Sequence, residues 1–369
     1  MAISVTSQPS YPNVAYTHLL YTVSSTLSGN PQFQFVMDIK QGGERLARLK
    51  QYPNPQAVGV FDVARILSDY IEFDQNWKAS SVSSPVQSLQ SFDILFGEEY
   101  GTSISSSTTL YDGNGNPGNP AVNPGVAEVF GGTVDPNNGQ SFNWQPQTVL
   151  SNRPTTGLSI TYDEYETLTL YTTSSTTATV DYNPGSPSVF SLSAGFNTIP
   201  IGSKNIGIPY QFTEIVVDVD GTELTYTLAD NCNYDRVRFA FINKFGFWDF
   251  YGFNLPQSKV TSTDRQGITK PMVNYSGIVG AYNGQRRGKD WYNIQYTDDF
   301  TVTTPFINQS EAEWLSEMFE SPEVFVQEGD NFIPIVITNA SYTHNTNKRA
   351  QKNFQYEIQY QYANNRIGR

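Results

Sequence analysis

Apolar and polar residues alternate along most of the chain, the pattern of β-strands that bury one face. The densest example lies in Tyr234–Phe253, where Val237, Phe239 and Phe241 alternate with polar or small residues. Aromatic residues resume after a Lys-Phe-Gly sequence, and Gly246 there suits a turn position with positive φ. This stretch predicts a β-hairpin in the core of a sandwich.

Shorter alternating runs on both sides of this hairpin predict the other strands. Between two of these runs stands Asp220-Gly221, a dipeptide that favours a tight hairpin turn. The predicted strands are Leu19–Val23, Phe33–Ile39, Arg45–Leu49, Leu89–Phe96, Leu168–Leu170, Val180–Tyr182, Phe190–Leu192, Ile199–Ile201, Ile215–Val219, Leu224–Leu228, Glu323–Val326, Ile333–Thr338 and Phe354–Tyr362.

Two segments have helical periodicity instead. Asp62 is predicted to cap a short helix over residues 63–71. Ser310, followed three residues later by a glutamate, predicts a capping box for a second helix that ends near Ser321. Residues 254–300 show neither period and are interpreted as a glycine-punctuated connector.

These elements predict a mainly β chain of several antiparallel β-sandwich domains, with a small α+β domain at its C-terminal end. Regularly spaced short strands separated by turns are typical of sandwiches. The pattern divides the chain into four segments: an N-terminal β-sandwich with a short helix (1–75), a strand with a long loop rich in Gly, Asn and Pro (76–155), a central β-sandwich (156–255) and the C-terminal α+β domain (256–369).

The charge balance excludes several classes of partner. The formal net charge is −13, although only 15% of residues are charged and 14% are aromatic. An acidic chain lacks the basic footprint of a general nucleic-acid binder, and it is not attracted to anionic membranes. With Cys232 as the single cysteine, an internal disulfide and a cysteine-based metal site are both excluded. Without a signal-peptide pattern or a membrane-spanning run, we expect synthesis in the cytoplasm and no membrane insertion.

Residues that could bind a metal or act as bases do not form recognised motifs. His18 and His344 are far apart, and neither is surrounded by a catalytic motif. The segment after Asp112 has oxygen ligands at alternate positions, as a calcium loop has. However, Pro117 and Asn123 occupy the places where an EF-hand needs Gly and Glu. We therefore expect no cofactor and no metal site.

One cluster of carboxylates could suggest glycoside hydrolysis, which needs two convergent acids. Asp163, Glu164 and Glu166 are close in sequence. Neighbouring residues of a strand point to opposite faces, so this spacing does not predict a convergent pair. The chain is predicted not to be an enzyme.

A short basic patch and two aromatic residues are the candidate subunit interface. Arg286, Arg287 and Lys289 are predicted either to lie in a solvated loop or to contact an acidic surface of a neighbouring subunit. Phe247 or Tyr251 is expected to be the more exposed aromatic of the central hairpin. An aromatic side chain at such a position is typical of protein interfaces.

Three stretches of the sequence together carry a resemblance to a known group of proteins. They begin at Phe61 (Phe-Asp-Val, followed by Ile-Leu-Ser-Asp-Tyr), at Phe241 (Phe-Ile-Asn-Lys-Phe-Gly-Phe-Trp-Asp) and at Glu313 (Glu-Trp-Leu-Ser-Glu-Met-Phe-Glu-Ser-Pro-Glu-Val). Together they resemble virion structural proteins of tailed bacteriophages. The resemblance implies a particle component of the tail, neck or baseplate, and it identifies no functional residue.

The expected function is therefore a non-enzymatic structural protein of a tailed-phage virion. Such a subunit would assemble with copies of itself and with other virion proteins into a symmetric ring or sleeve. The alternative is a host-recognition module that binds a surface glycan, because aromatic rings can stack on sugars. Phe239, Phe241 and Trp248 are expected in the core; an exposed Trp248 in a concave groove would favour the glycan hypothesis instead.

Overall fold

A computed structural model shows the chain as two compact units, each built from segments that are separate in sequence. Unit 1 comprises Met1–Leu158, Tyr165–Thr227 and Ile242–Asp249, and unit 2 comprises Ser159–Glu164, Leu228–Phe241 and Phe250–Arg369. In the described residues, no helix is long and apolar enough to cross a membrane. The structure describes residues 3–101, 110–111, 122–134, 144–183, 185–207, 212–229, 234–270, 273–276, 279–282, 284–285, 288–339 and 354–364.

Strands dominate the described residues, as the alternating pattern predicts. The three short helices are α1 Ala64–Ser68, α2 Ser203–Ile206 and α3 Gln309–Glu320. The strands are β1 Ile3–Ser7, β2 Asn13–Val14, β3 Leu20–Ser25, β4 Gln34–Gln41, β5 Glu44–Gln51, β6 Val58–Asp62, β7 Leu89–Glu99, β8 Leu110–Tyr111, β9 Val126–Phe130, β10 Leu158–Ile160, β11 Thr167–Thr172, β12 Thr176–Asn183, β13 Ser188–Leu192, β14 Gly195–Pro200, β15 Glu214–Val219, β16 Thr222–Leu228, β17 Val237–Ile242, β18 Trp248–Phe253, β19 Ser258–Thr269, β20 Val273–Ser276, β21 Val279–Tyr282, β22 Lys289–Thr303, β23 Val324–Glu328, β24 Asn331–Ile337 and β25 Glu357–Tyr362.

The first part of unit 1 holds two sheets over one apolar cluster. One sheet has the order β1-β3-β6, and the other has the order β2-β9-β7-β4-β5 with β8 beside β7. Alternate residues of β3 and β4, such as Tyr21, Val23, Met37 and Ile39, are fully buried in that cluster. The short pair β2–β9 is parallel. The mainly β, multi-sheet fold class is confirmed.

A five-stranded sheet with the order β10-β16-β15-β12-β13 follows. Its strands β15 and β16 are joined at Asp220 and Gly221, whose φ angles of 49° and 79° confirm the predicted tight turn. One face of this sheet is apolar and buried, and its members include Val180, Tyr182 and Val217. The opposite face is polar, as expected for an antiparallel sheet with one solvated face.

Unit 2 is built around a seven-stranded sheet with the order β18-β17-β23-β24-β25-β22-β19. Phe239 packs at 5.0 Å from Tyr360, ring centre to ring centre, and both side chains are buried. Helix α3 contributes Trp314, whose ring lies 5.9 Å from that of Phe241. Phe239, Phe241 and Trp248 are all buried, which confirms their predicted place in the core.

Both helices differ slightly from the predictions. Helix α1 is shorter than residues 63–71, and its N-cap is Val63 instead of the predicted Asp62. Asp62 lies one residue earlier, and its Oδ1 accepts from the backbone N–H of Ala64 at 3.1 Å. The N-cap of α3 is Asn308 instead of Ser310, because Asn308 has the extended backbone and accepts from the N–H of Glu311 at 2.9 Å. The helix ends before Ser321, as predicted.

The interpretation of residues 254–300 as a connector is wrong. This stretch contains β19 and most of β22, which have 12 and 15 residues and form a long antiparallel ribbon. Period-2 patterning arises only where one face of a strand is buried. Every residue of β19 is exposed, so its sequence carries no such pattern.

Candidate subunit interface

The most unusual feature of unit 2 is the ribbon of β19 and β22, which is called the arm below together with the β20–β21 hairpin between them. Twelve residues of β19 pair with β22, from Ser258 opposite Thr301 to Thr269 opposite Lys289. At about 3.4 Å per residue, the ribbon is about 40 Å long. Strand β19 stands at the end of its sheet, and all of its residues are exposed.

The two faces of the arm differ in chemistry. The register places Trp291, Ile294 and Tyr296 of β22 on one face, opposite Gly267, Arg265 and Thr263 of β19. The opposite face carries mainly polar residues, among them Gln266 and Asn293, whose amides are 3.4 Å apart. The first face is called the aromatic face and is defined by Arg265, Lys289, Trp291, Ile294 and Tyr296.

The indole ring of Trp291 lies against Gly267 on the opposite strand. A Cβ atom on Gly267 would lie 2.5 Å from Cε3 of Trp291, so only a glycine accepts the ring in this position. The strand pairing shifts by one residue beside Gly267, as at a β-bulge. Trp291 is nevertheless 43% exposed and its neighbour Tyr292 is 66% exposed. Large aromatic surface therefore faces solvent in the single chain.

Charged residues line the arm in two different ways. Lys259 pairs with Asp298 at 2.8 Å, and Lys270 pairs with Asp290, so these charges are balanced within the arm. Arg265 and Lys289, in contrast, are exposed and form no ion pair with a described residue. Exposed Trp, Tyr and Arg side chains on one surface are the residue types that dominate binding energy at protein interfaces.

Among the predicted interface residues, only Lys289 lies on this arm within the described part of the chain. Arg286 and Arg287 belong to the same segment but lie outside the described residues. Cys232, His344 and residues 112–121 of the loop that begins at Asp112 also lie outside them.

The expectation that Phe247 or Tyr251 is the more exposed aromatic is wrong for the single chain. Phe247 is 3% exposed, with its ring 5.9 Å from that of Phe130. Tyr251 is 7% exposed, and its hydroxyl donates to Glu311 Oε1 at 3.2 Å. Burial raises the pKa of the Glu311 carboxyl above its usual range. Each of these aromatics completes the core of its own unit.

Trp248 is likewise not part of an exposed groove. Its indole N–H donates to the backbone oxygen of Asp74 at 2.6 Å, and its ring packs edge to face on Trp77 at 4.8 Å. The side chain is 7% exposed. A sugar platform at Trp248 is therefore not available in the single chain.

Two of the three clustered carboxylates, Glu164 and Glu166, form buried ion pairs, whereas Asp163 is exposed. In unit 2, Glu164 lies between two arginines, at 2.7 Å from Nε of Arg236 and 2.9 Å from Nη1 of Arg238. In unit 1, Glu166 accepts from Arg153 at 2.6 Å. Neither carboxylate is open to a substrate, since both residues are buried.

Arg153 is the centre of a buried network in unit 1. Its guanidinium also donates to Asp249 and, at 2.5 Å, to the hydroxyl of Tyr226. Burial alone would lower the pKa of Arg153, but the neighbouring charges of Asp249 and Glu166 raise it well above its usual value. The arginine therefore stays charged inside the fold, which is a structural role.

Unit 1 also has a surface groove of about 650 Å³. Its lining includes the half-buried ring of Tyr171, the carboxylate of Glu128 and the amide of Asn197. Nδ2 of Asn197 donates to the backbone oxygen of Ser193 at 2.7 Å, which fixes one wall. Aromatic and carboxylate groups around an open groove are suited to a neutral polyhydroxylated ligand.

No protein-family model and no curated protein matches the chain. The basic residues from Arg286 to Lys289 were the only sequence signal for the arm. Trp291 and Tyr296 gave none, because strand pairing alone brings them to one face.

Proposed function

We propose that the chain is a non-enzymatic structural component of a tailed-bacteriophage virion, in the tail, neck or baseplate. In this role it assembles with copies of itself into a symmetric ring or sleeve. The observation that carries the proposal is the arm, a ribbon about 40 Å long that is open to solvent on both faces and along the edge of β19. The resemblance of three stretches to tailed-phage virion proteins supports the location in a particle.

A ribbon of this kind requires a partner for physical reasons. Two isolated strands are marginally stable in water, and an open edge presents unpaired N–H and C=O groups to other chains. A ribbon about 40 Å long and about 10 Å wide presents about 800 Å² over its two faces, close to what one partner buries in a standard interface. Assembly into a particle would cover this surface.

The carboxylates support the non-enzymatic part of the proposal. Glu164 and Glu166 are each held by buried arginines, so neither has the freedom to transfer a proton to a substrate. Their geometry stabilises the fold and presents no pair of acids across a cleft. The virion proposal requires no catalytic step.

The test is assembly of the purified full chain. Mass photometry and negative-stain electron microscopy should show rings or short tubes of one symmetry. A matched variant replaces residues 263–296 by Asn-Gly, which joins the paired residues Ser262 and Thr297 through a two-residue turn. That variant should fold with unchanged circular dichroism of its core and stay monomeric. A wild-type protein that remains monomeric at its highest attainable concentration contradicts the proposal.

The second candidate function is recognition of a host-surface glycan, which the groove beside Tyr171 favours. A printed array of bacterial surface saccharides is the probe. If the groove binds a sugar, Tyr171→Ala should lower binding at least about tenfold while leaving assembly intact, since stacked rings supply much of sugar affinity. Absence of binding on the array, or equal binding by the variant, contradicts this candidate.

A further inference from the structure

The arm is positively charged in a chain that is otherwise acidic. Residues 258–303 contain six lysines and arginines and four aspartates, a formal charge of +2, whereas the whole chain carries −13. On the aromatic face, Arg265 and Lys289 have no ion-pair partner among the described residues. An acidic surface of the same chain therefore attracts the arm electrostatically.

Unit 1 has a sheet face whose charge is complementary to the arm. It is the solvated face of the five-stranded sheet, on strands β12, β15 and β16, where Asp218 pairs across the strands with Glu223. The register places Asp181 and Glu214 on the same side, and no lysine or arginine of the described strands lies there. This acidic face is defined by Asp181, Glu214, Asp218 and Glu223.

The acidic face also offers apolar contact. Thr179, Val216 and Thr225 are interleaved with the four carboxylates, so the methyl groups of β-branched side chains lie among the charges. None of the carboxylates forms an ion pair with a described residue. Such a surface can accept aromatic rings and cations at the same time.

We propose that the aromatic face of the arm packs on the acidic face of unit 1 in a neighbouring copy of the chain. This inference rests on the proposed function, because it identifies the contact between neighbouring subunits of the ring or sleeve. Trp291, Ile294 and Tyr296 lie against the threonine and valine methyls, as in the face-to-face packing of two sheets. Arg265 and Lys289 lie among the carboxylates.

The proposed contact also accounts for the form of the assembly. Its two surfaces are different parts of the chain, so the contact can repeat head to tail from one copy to the next. Repeated head-to-tail contacts close into a ring when the rotation allows, and otherwise continue as an open helical assembly. A pair of identical surfaces would stop at a dimer.

Charge reversal on each surface tests the proposal. The arm variant carries Arg265→Glu and Lys289→Glu, and the acidic-face variant carries Asp218→Lys and Glu223→Lys. Each alone should weaken subunit association at least about tenfold in sedimentation velocity, because like charges then meet in the contact. Their combination in one chain should restore most of the association, since the opposite charges are then exchanged.

A matched control separates the contact from net charge. Asp69→Lys with Glu72→Lys changes the net charge by the same amount as the acidic-face variant, at exposed positions outside both surfaces. This control should leave association unchanged. If the wild type assembles and the combined variant loses as much association as the arm variant and the acidic-face variant lose together, the acidic face is not the partner. If the wild type does not assemble, the proposed function itself is wrong.

Discussion

The central hairpin and the arm are both antiparallel, both rich in aromatic residues and adjacent in the chain, yet they have opposite environments. Every residue of β17 and β18 is buried, whereas every residue of β19 is exposed. Aromatic content therefore does not decide burial in this protein. What differs is the number of neighbours: the central hairpin has a helix and other strands against it, whereas among the described residues the arm is paired with another strand only at its base, where Phe300–Thr303 of β22 pair with β25.

The central hairpin and the arm also use charge differently. In the central hairpin Asp249 is buried and held by Arg153 and by the hydroxyl of Ser151, the latter at 2.6 Å. In the arm Lys270 and Asp290 pair at the surface, where each is more than a third exposed. A buried ion must keep its partner, whereas an exposed ion can exchange its partner for water or for another chain.

The largest expected effect comes from removing the buried cation. Arg153→Met leaves Asp249 and Glu166 inside the fold without their counter-ion, so the free energy of unfolding should fall by about 3 to 5 kcal/mol. Lys270→Met is the matched control at the arm, and it should cost less than about 1 kcal/mol. Urea unfolding followed by tryptophan fluorescence measures both. Equal losses would show that the two environments do not differ as described.

A smaller effect is expected at the turn of the central hairpin. Gly246 has φ of 79°, and a Cβ there would lie 1.5 Å from the backbone oxygen of Gly131. Gly246→Ala should therefore destabilise unit 1 by about 3 kcal/mol, through a strained backbone and a displaced contact. Gly43→Ala also has positive φ, but with open space around it, and should cost only about 1 kcal/mol. Thermal unfolding that shows no difference between the variants contradicts the close approach.

The smallest effect concerns pH and the carboxyl against Tyr251. Because the pKa of Glu311 is raised in the folded state, the folded chain keeps this proton to a higher pH than the unfolded chain. Its contribution to stability is therefore lost as pH rises above about 4.5. Glu311→Gln should gain less than about 1 kcal/mol at pH 7, since water partly reaches the carboxyl, and nothing at pH 3.

Glu313 on the same helix provides the control for that measurement. It is exposed and accepts from Gln309 at 2.7 Å, so Glu313→Gln should not reproduce the pH-dependent gain. Urea midpoints of both variants between pH 3 and pH 7 make the comparison. A gain for Glu311→Gln that is the same at all pH values would show that protonation is not its cause.

The sequence indicated most of the candidate core but little of the candidate interface. Phe239, Phe241 and Trp248 were predictable as core residues because a strand with a buried face alternates in hydrophobicity. Trp291 and Tyr296 were not predictable as a shared surface, since the arm buries neither face and has no such alternation. The division of the chain into four contiguous segments stays a prediction. The structure divides the chain into two compact units, each made of segments that are separate in sequence.

By itself, then, the sequence determined the local elements. Alternating residues specify most strands, and Asp220-Gly221 specifies its turn through the positive φ angles both residues tolerate. Only the tertiary structure decided which aromatics are covered and which acids meet arginines. Burial and ion pairing depend on residues that are distant in sequence, such as Arg153 and Asp249. A local sequence pattern does not predict which distant side chain will make the contact.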